Sequence, residues 1–124
     1  MLDLIIKNGS CYINKDLKEQ DISIKDGKIV EIGKINKESK EIFDAKDLTV
    51  LPGCIDTQTH FREPGSTDTE DLHTGSRAAI VGGITSVFEM PNTNPPTSTK
   101  AEFQKKLDLA KNRMYCNYAF YFGA

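Results

Sequence analysis

The sequence predicts an α/β protein in two parts, a small antiparallel β domain over residues 1–50 and a parallel β-α-β-α-β segment over 51–124. Three observations lead there. The first third is made of short apolar alternations separated by Asn8-Gly9 and Asp26-Gly27, with no helical period. After Arg62, strand-like and helix-like patterns take turns. Between them lies Val50-Leu51-Pro52-Gly53-Cys54-Ile55-Asp56-Thr57-Gln58-Thr59-His60-Phe61-Arg62-Glu63-Pro64-Gly65, where an apolar run gives way to polar residues at every other position.

Taken in order, Leu2-Asp3-Leu4-Ile5-Ile6-Lys7 reads as a strand, Asn8-Gly9 as a hairpin turn and Cys11-Tyr12-Ile13 as the return. Asp21 to Lys25 alternates, Asp26-Gly27 turns, and Lys28 to Gly33 comes back. The charged run Lys34 to Lys40 is expected to be a solvated loop, followed by short apolar pieces at Ile42-Phe43 and Leu48 to Leu51. Nothing in this third looks chemical.

If Cys54 to Phe61 is a strand, its period of two sets Asp56, Gln58, His60 and Arg62 on one face, with Ile55, Thr57, Thr59 and Phe61 on the other. An acid, an amide, an imidazole and a guanidinium in a row furnish a site. An exposed edge strand would account for the same pattern. Thr67-Asp68-Thr69-Glu70 has capping-box spacing and opens a helix to about Val81, which Gly82-Gly83 stops. Ile84 to Met90 is a β-branched strand ended by Pro91-Asn92-Thr93-Asn94-Pro95-Pro96. Thr99-Lys100-Ala101-Glu102 caps a second helix with a core stripe of Phe103, Leu107, Ala110 and Met114, and Tyr115 to Phe122 forms a third strand.

Strand, helix, strand, helix, strand implies parallel strands with right-handed crossovers. Ligands of such sheets sit beyond the strand C-termini, where both the His60–Gly65 and the Met90–Pro96 loops fall. Alone, His60 is as compatible with a core histidine, Arg62 with an ion pair to Asp56 or Glu63, and Asn92 with a turn cap.

Sixteen basic and eighteen acidic residues leave a formal charge of −2, which gives no electrostatic case for nucleic acid or a membrane surface. No run approaches the roughly 20 apolar residues of a membrane span. Cys11, Cys54 and Cys116 are far apart and odd in number, which points to buried packing thiols in a reducing cytoplasm. The chain stops just after a strand with no covering helix, and the expectation is the front part of a longer protein.

Leu51-Pro52-Gly53-Cys54-Ile55-Asp56, His60-Phe61-Arg62-Glu63-Pro64-Gly65, Gly82-Gly83-Ile84-Thr85 and Met90-Pro91-Asn92-Thr93-Asn94-Pro95 together resemble the N-terminal part of a dihydroorotase, in the cyclic-amidohydrolase branch of the amidohydrolase superfamily. With the β-rich opening, the likeness spans essentially the whole chain. It implies the first strands and helices, roughly three strands, of a TIM (β/α)8 barrel of about 250 residues. The implied reaction is the reversible ring closure of N-carbamoyl-aspartate to dihydroorotate, in pyrimidine synthesis, with one or two zinc ions polarising the amide and activating water. His60 and position 58 are the implied metal ligands, and Arg62 and Asn92 the substrate-binding residues. The proton-shuttling Asp lies late in the barrel, outside this chain.

Allantoin- and hydantoin-hydrolysing relatives typically lack the arginine after His-Phe, so Arg62 and Asn92 favour dihydroorotase. One residue departs from the pattern. The family carries His-x-His, and here the first position is Gln58, whose amide oxygen is a poor zinc ligand. The competing expectations are therefore an inactive scaffold partner of aspartate transcarbamoylase, or another cyclic amidohydrolase of the allantoinase or hydantoinase kind. Expected partners are a small-molecule substrate and either a homo-oligomer or that complex.

Overall fold

The computed structural model describes residues 1–123. The chain divides into two compact units, Met1–Pro52 and Gly53–Ala124.

In the first unit, β1 (Leu2–Ile13), β2 (Asp16–Lys25), β3 (Lys28–Gly33), β4 (Ser39–Asp44) and β5 (Thr49–Val50) form one sheet. β1, β2 and β3 are an antiparallel meander, while β4 and β5 both pair with β1 in parallel. The sheet is thus antiparallel in its first three strands and mixed beyond them. Ile5, Leu2 and Ile35 are its buried apolar cluster.

The expected hairpin at Asn8-Gly9 does not form. β1 runs straight through it, and the register with β2 slips between Ile6 and Gly9, a bulge with Asn8 at φ 61°. Asn8 is tied there by its N–H to Asp21 Oδ1 (3.1 Å) and its amide to Asp44 Oδ1 (2.9 Å). A Cβ on Gly9 would meet Val50 Cγ2 at 2.6 Å, so close approach to β5, not turning, requires the glycine. The turn lies at Asn14-Lys15, both left-handed (φ 52° and 68°), as Asp26-Gly27 also is (51° and 70°). Within the charged Lys34–Lys40 run, Ile35 is buried and the last two residues already belong to β4.

The second unit holds a three-stranded parallel sheet, β6 (Cys54–Thr59), β7 (Ile84–Glu89) and β8 (Asn117–Phe120), in the order β6-β7-β8. Helices α1 (Leu72–Val81) and α2 (Lys100–Ala110) make the crossovers. This is the β-α-β-α-β order expected of the first part of a barrel. The core is Phe61, Leu72, Ala79, Val87, Ala110 and Cys116, with Ile84, Leu109, Met114 and Phe120 packed on it.

Three details differ from expectation. The α1 cap is Asp71 with Thr74 as reciprocal partner, not Thr67 with Glu70: Asp71 Oδ1 accepts from Thr74 N (2.7 Å), and residues 67–70 lie in the turn before it. Met114 lies past the end of α2, where Lys111 is the cap. Cys54 is exposed, whereas Cys11 and Cys116 are buried. The α2 cap is as expected, with Thr99 Oγ1 accepting from Glu102 N (3.2 Å).

Candidate functional site

β6 ends at Thr59 and β7 at Glu89, so His60–Gly65 and Met90–Pro96 both start at the C-terminal edge of the parallel sheet. The two loops are bonded to each other. Met90 N–H donates to the Thr59 carbonyl (2.9 Å) and Asn94 N–H to the Pro64 carbonyl (3.0 Å). Gly65, at φ 118°, lets Asn94 come in: a Cβ there would lie 2.8 Å from Asn94 Cβ.

This closure brings two of the four expected residues together. His60 Nδ1 lies 2.8 Å from Asn92 Oδ1. An amide oxygen only accepts, so the contact places hydrogen on Nδ1 and leaves the Nε2 lone pair as the ring's free basic position. A metal-binding histidine is held this way, its distal nitrogen fixed so that the other can ligate.

The other two residues stand apart from that pair. Gln58 is exposed, and its backbone N–H donates to Asp56 Oδ1 (2.9 Å). Arg62 is also exposed, but at φ 62° its backbone is left-handed. The alternation of β6 therefore stops before it, and Asp56, Gln58, His60 and Arg62 do not form one continuous strand face. Nor is the expected ion pair of Arg62 with Asp56 or Glu63 made among the described residues.

Glu63 is engaged elsewhere, which sequence reasoning missed. It is buried, receives Arg113 Nη1 on Oε1 (2.8 Å) and Nη2 on Oε2 (3.1 Å), and caps α1 by accepting Leu72 N–H on Oε2 (2.9 Å). Next to it, buried Phe61 is pressed against Gly75, where an added Cβ would lie 2.4 Å from the ring. Arg62 is carried between two anchored neighbours.

A second missed pair lies beneath the loops. Lys106 and Glu89 form an ion pair with side chains 0% and 1% exposed. Burial pushes the Glu89 carboxyl above its ordinary range, opposed first by Lys106 and then by the Phe61 N–H and His60. Lys106 Nζ also donates to the Met90 carbonyl (3.1 Å) and lies 5.2 Å from the centre of the Phe120 ring.

Residues 49–123 match the model of the family described as "Amidohydrolase family". The chain belongs to the amidohydrolase family. This amidohydrolase chain is 44% identical over 113 residues to the allantoinase of Escherichia coli O1:K1, an alignment covering 90% of this chain and 25% of that one. In structure it matches the L-hydantoinase of Arthrobacter aurescens with a TM-score of 0.88 and 34% identity, over 99% of this chain and 28% of that one. The D-hydantoinase of a Thermus species follows at 0.81 and 29%, over 98% of this chain and 27% of that one. The amidohydrolase thus spans about a quarter of the length of the curated relatives it matches.

Amidohydrolases are in general metal-dependent, and the residues present fit such a centre in part. His60, with Nδ1 engaged and Nε2 free, suits a metal ligand; the Gln58 amide does not replace a second imidazole. Among the described residues no cluster of three or more His, Cys, Asp or Glu side chains could hold a metal. His73, the other histidine, is on α1 with its ring 5.1 Å from Tyr115. Among the described residues no helix is long and apolar enough to cross a membrane.

Proposed function

We propose that the protein is a metal-dependent cyclic amidohydrolase of the allantoinase and hydantoinase kind, opening the ring of a cyclic ureide or related cyclic amide. The observation that carries this reading is the His60–Asn92 contact at the C-terminal edge of a parallel sheet. It presents the Nε2 edge of an imidazole where barrel enzymes bind their ligands. The allantoinase and hydantoinases to which the chain is similar supply the substrate class.

A bound metal, proposed to be zinc, would polarise the scissile amide and acidify water. His60 would hold it through Nε2, Asn92 would orient His60, and further ligands would come from outside the described residues.

Arg62 supports a second reading, dihydroorotase, with an acidic substrate. Its guanidinium is exposed and unpaired among the described residues, and its planar fork suits a carboxylate. Asn92 keeps its part in that reading, because His60 engages only its carbonyl oxygen and leaves its NH2 free to donate to a carboxylate. Gln58 supports the scaffold reading, in which a metal-poor chain partners a transcarbamoylase.

One experiment separates the three. The intact enzyme is assayed on allantoin, hydantoin and dihydroorotate while bound zinc per chain is measured. Turnover of allantoin or hydantoin with at least one metal supports the proposal. Turnover of dihydroorotate alone, abolished by Arg62→Ala, replaces it with the second reading. A metal-free chain inactive on all three overturns the enzyme reading.

A further inference from the structure

A lysine with no exposed surface, aimed at the ligand-binding edge of a parallel sheet, calls for a physical reason. Burying an ion pair usually gains no stability over an apolar pair of similar volume. Lys106 nevertheless reaches from α2 to the end of β7, meets Glu89, and donates to the Met90 carbonyl at 3.1 Å.

Met90 is the first residue of the loop, and both of its peptide groups are engaged. Its N–H is held by the Thr59 carbonyl and its carbonyl by Lys106. At the far side, Thr97 N–H closes on the Pro91 carbonyl (2.9 Å) and Gly123 N–H on the Thr97 carbonyl (2.8 Å). Between these ties, Asn92 is exposed and reaches His60. An exposed amide alone would hold an imidazole poorly, because its own backbone would wander.

We propose that Lys106, with Glu89, is a positioning residue for His60, acting through the Met90 carbonyl and Asn92 to fix which imidazole nitrogen is free. Its metal readout rests on the reading of His60 as a ligand; its imidazole readout does not. The pair also explains why Glu89 is acidic at a position with no solvent. The carboxylate gives the buried lysine a counter-charge, while its ammonium donates to Met90.

The test is made on the intact enzyme. Lys106→Met with Glu89→Leu removes both charges and keeps an apolar filling, a replacement that buried pairs often tolerate. Two quantities are read: the side-chain 15N shifts of His60, assigned by the signals that His60→Gln removes, and zinc affinity. In the unaltered protein His60 should be the Nδ1–H tautomer. In the double variant it should move toward Nε2–H, with zinc bound about tenfold more weakly. A folded double variant with unchanged tautomer and zinc affinity overturns the proposal.

Should that variant not fold, Lys106→Arg keeps the charge against Glu89 but relocates the donor nitrogens. A shifted His60 tautomer then supports the proposal and an unshifted one overturns it. The 15N readout needs neither turnover nor metal, so its failure is distinct from a failure of the hydrolase reading.

Discussion

Arg113 grips the carboxylate of Glu63 with both terminal nitrogens, at 2.8 and 3.1 Å, across fifty positions of sequence. The pair joins the loop after β6 to the segment after α2. Glu63 is the more buried partner, and Arg113 remains about a third exposed. Arg113→Ala should therefore cost about 2 kcal/mol, since it strands a buried acceptor partly reachable by water. Arg113→Lys should recover only part of that, because an ammonium cannot match the fork. Urea unfolding of the three proteins reads both.

The Lys106–Glu89 pair should behave differently in a double-mutant cycle. Each single change, Lys106→Met or Glu89→Leu, leaves a buried charge without its partner and should cost about 3 to 5 kcal/mol. The double change should cost much less than the sum. Additive losses would show that the two groups are not energetically coupled.

Gly75→Ala tests the packing under the site. An alanine is ordinarily favoured over glycine within a helix by about 1 kcal/mol. Here the new methyl would overlap three ring atoms of buried Phe61, so the net effect should be a loss of about 1 to 3 kcal/mol. A thermal melt at or above that of the unaltered protein would contradict the close approach of ring and helix.

The α1 cap predicts an acid dependence. The Thr74 backbone N–H and hydroxyl hold the Asp71 carboxyl below its ordinary value of 3.8, with Arg113 adding a smaller pull. A lowered folded value means the unfolded chain binds the proton more readily. The stabilisation is therefore present above pH 3.8 and is lost as the pH falls through the folded value. Asp71→Asn keeps a capping oxygen without the charge. Its stability deficit relative to the unaltered protein should shrink as the solution is acidified past that window.

Thr99→Ala should remove the acceptor for Glu102 N–H and cost about 1 kcal/mol. Circular dichroism on heating measures it.

Much of the second unit was legible in the sequence because period, caps and breakers agreed there. Ile84 to Glu89, Thr99 and Gly82-Gly83 all behave as local chemistry dictates. The first unit misled at Asn8-Gly9, since a dipeptide that favours left-handed backbone serves a bulge as well as a turn. Arg62 misled for a related reason: a strand period cannot foresee a single left-handed residue that breaks it. Lys106 could have been found. It falls three residues after Phe103 and four before Ala110, on the very stripe assigned to the core, and a charge on such a stripe needs a buried partner. For the substrate, Arg62 and Asn92 favour dihydroorotase, while the chain as a whole is similar to an allantoinase and to hydantoinases, and two residues do not decide among ring substrates.

The parallel pairing of β4 and β5 with β1 sets an order of events during synthesis. β1 leaves the ribosome before β4 and β5, yet one whole edge of it waits for Ser39 to Val50. At about 5 to 20 residues per second, that interval is of the order of a few seconds. Throughout it the nascent meander holds out an open strand edge bearing Leu2 and Ile5, which is an invitation to foreign strands. Any delay in translation between Gly33 and Ser39 lengthens that exposure.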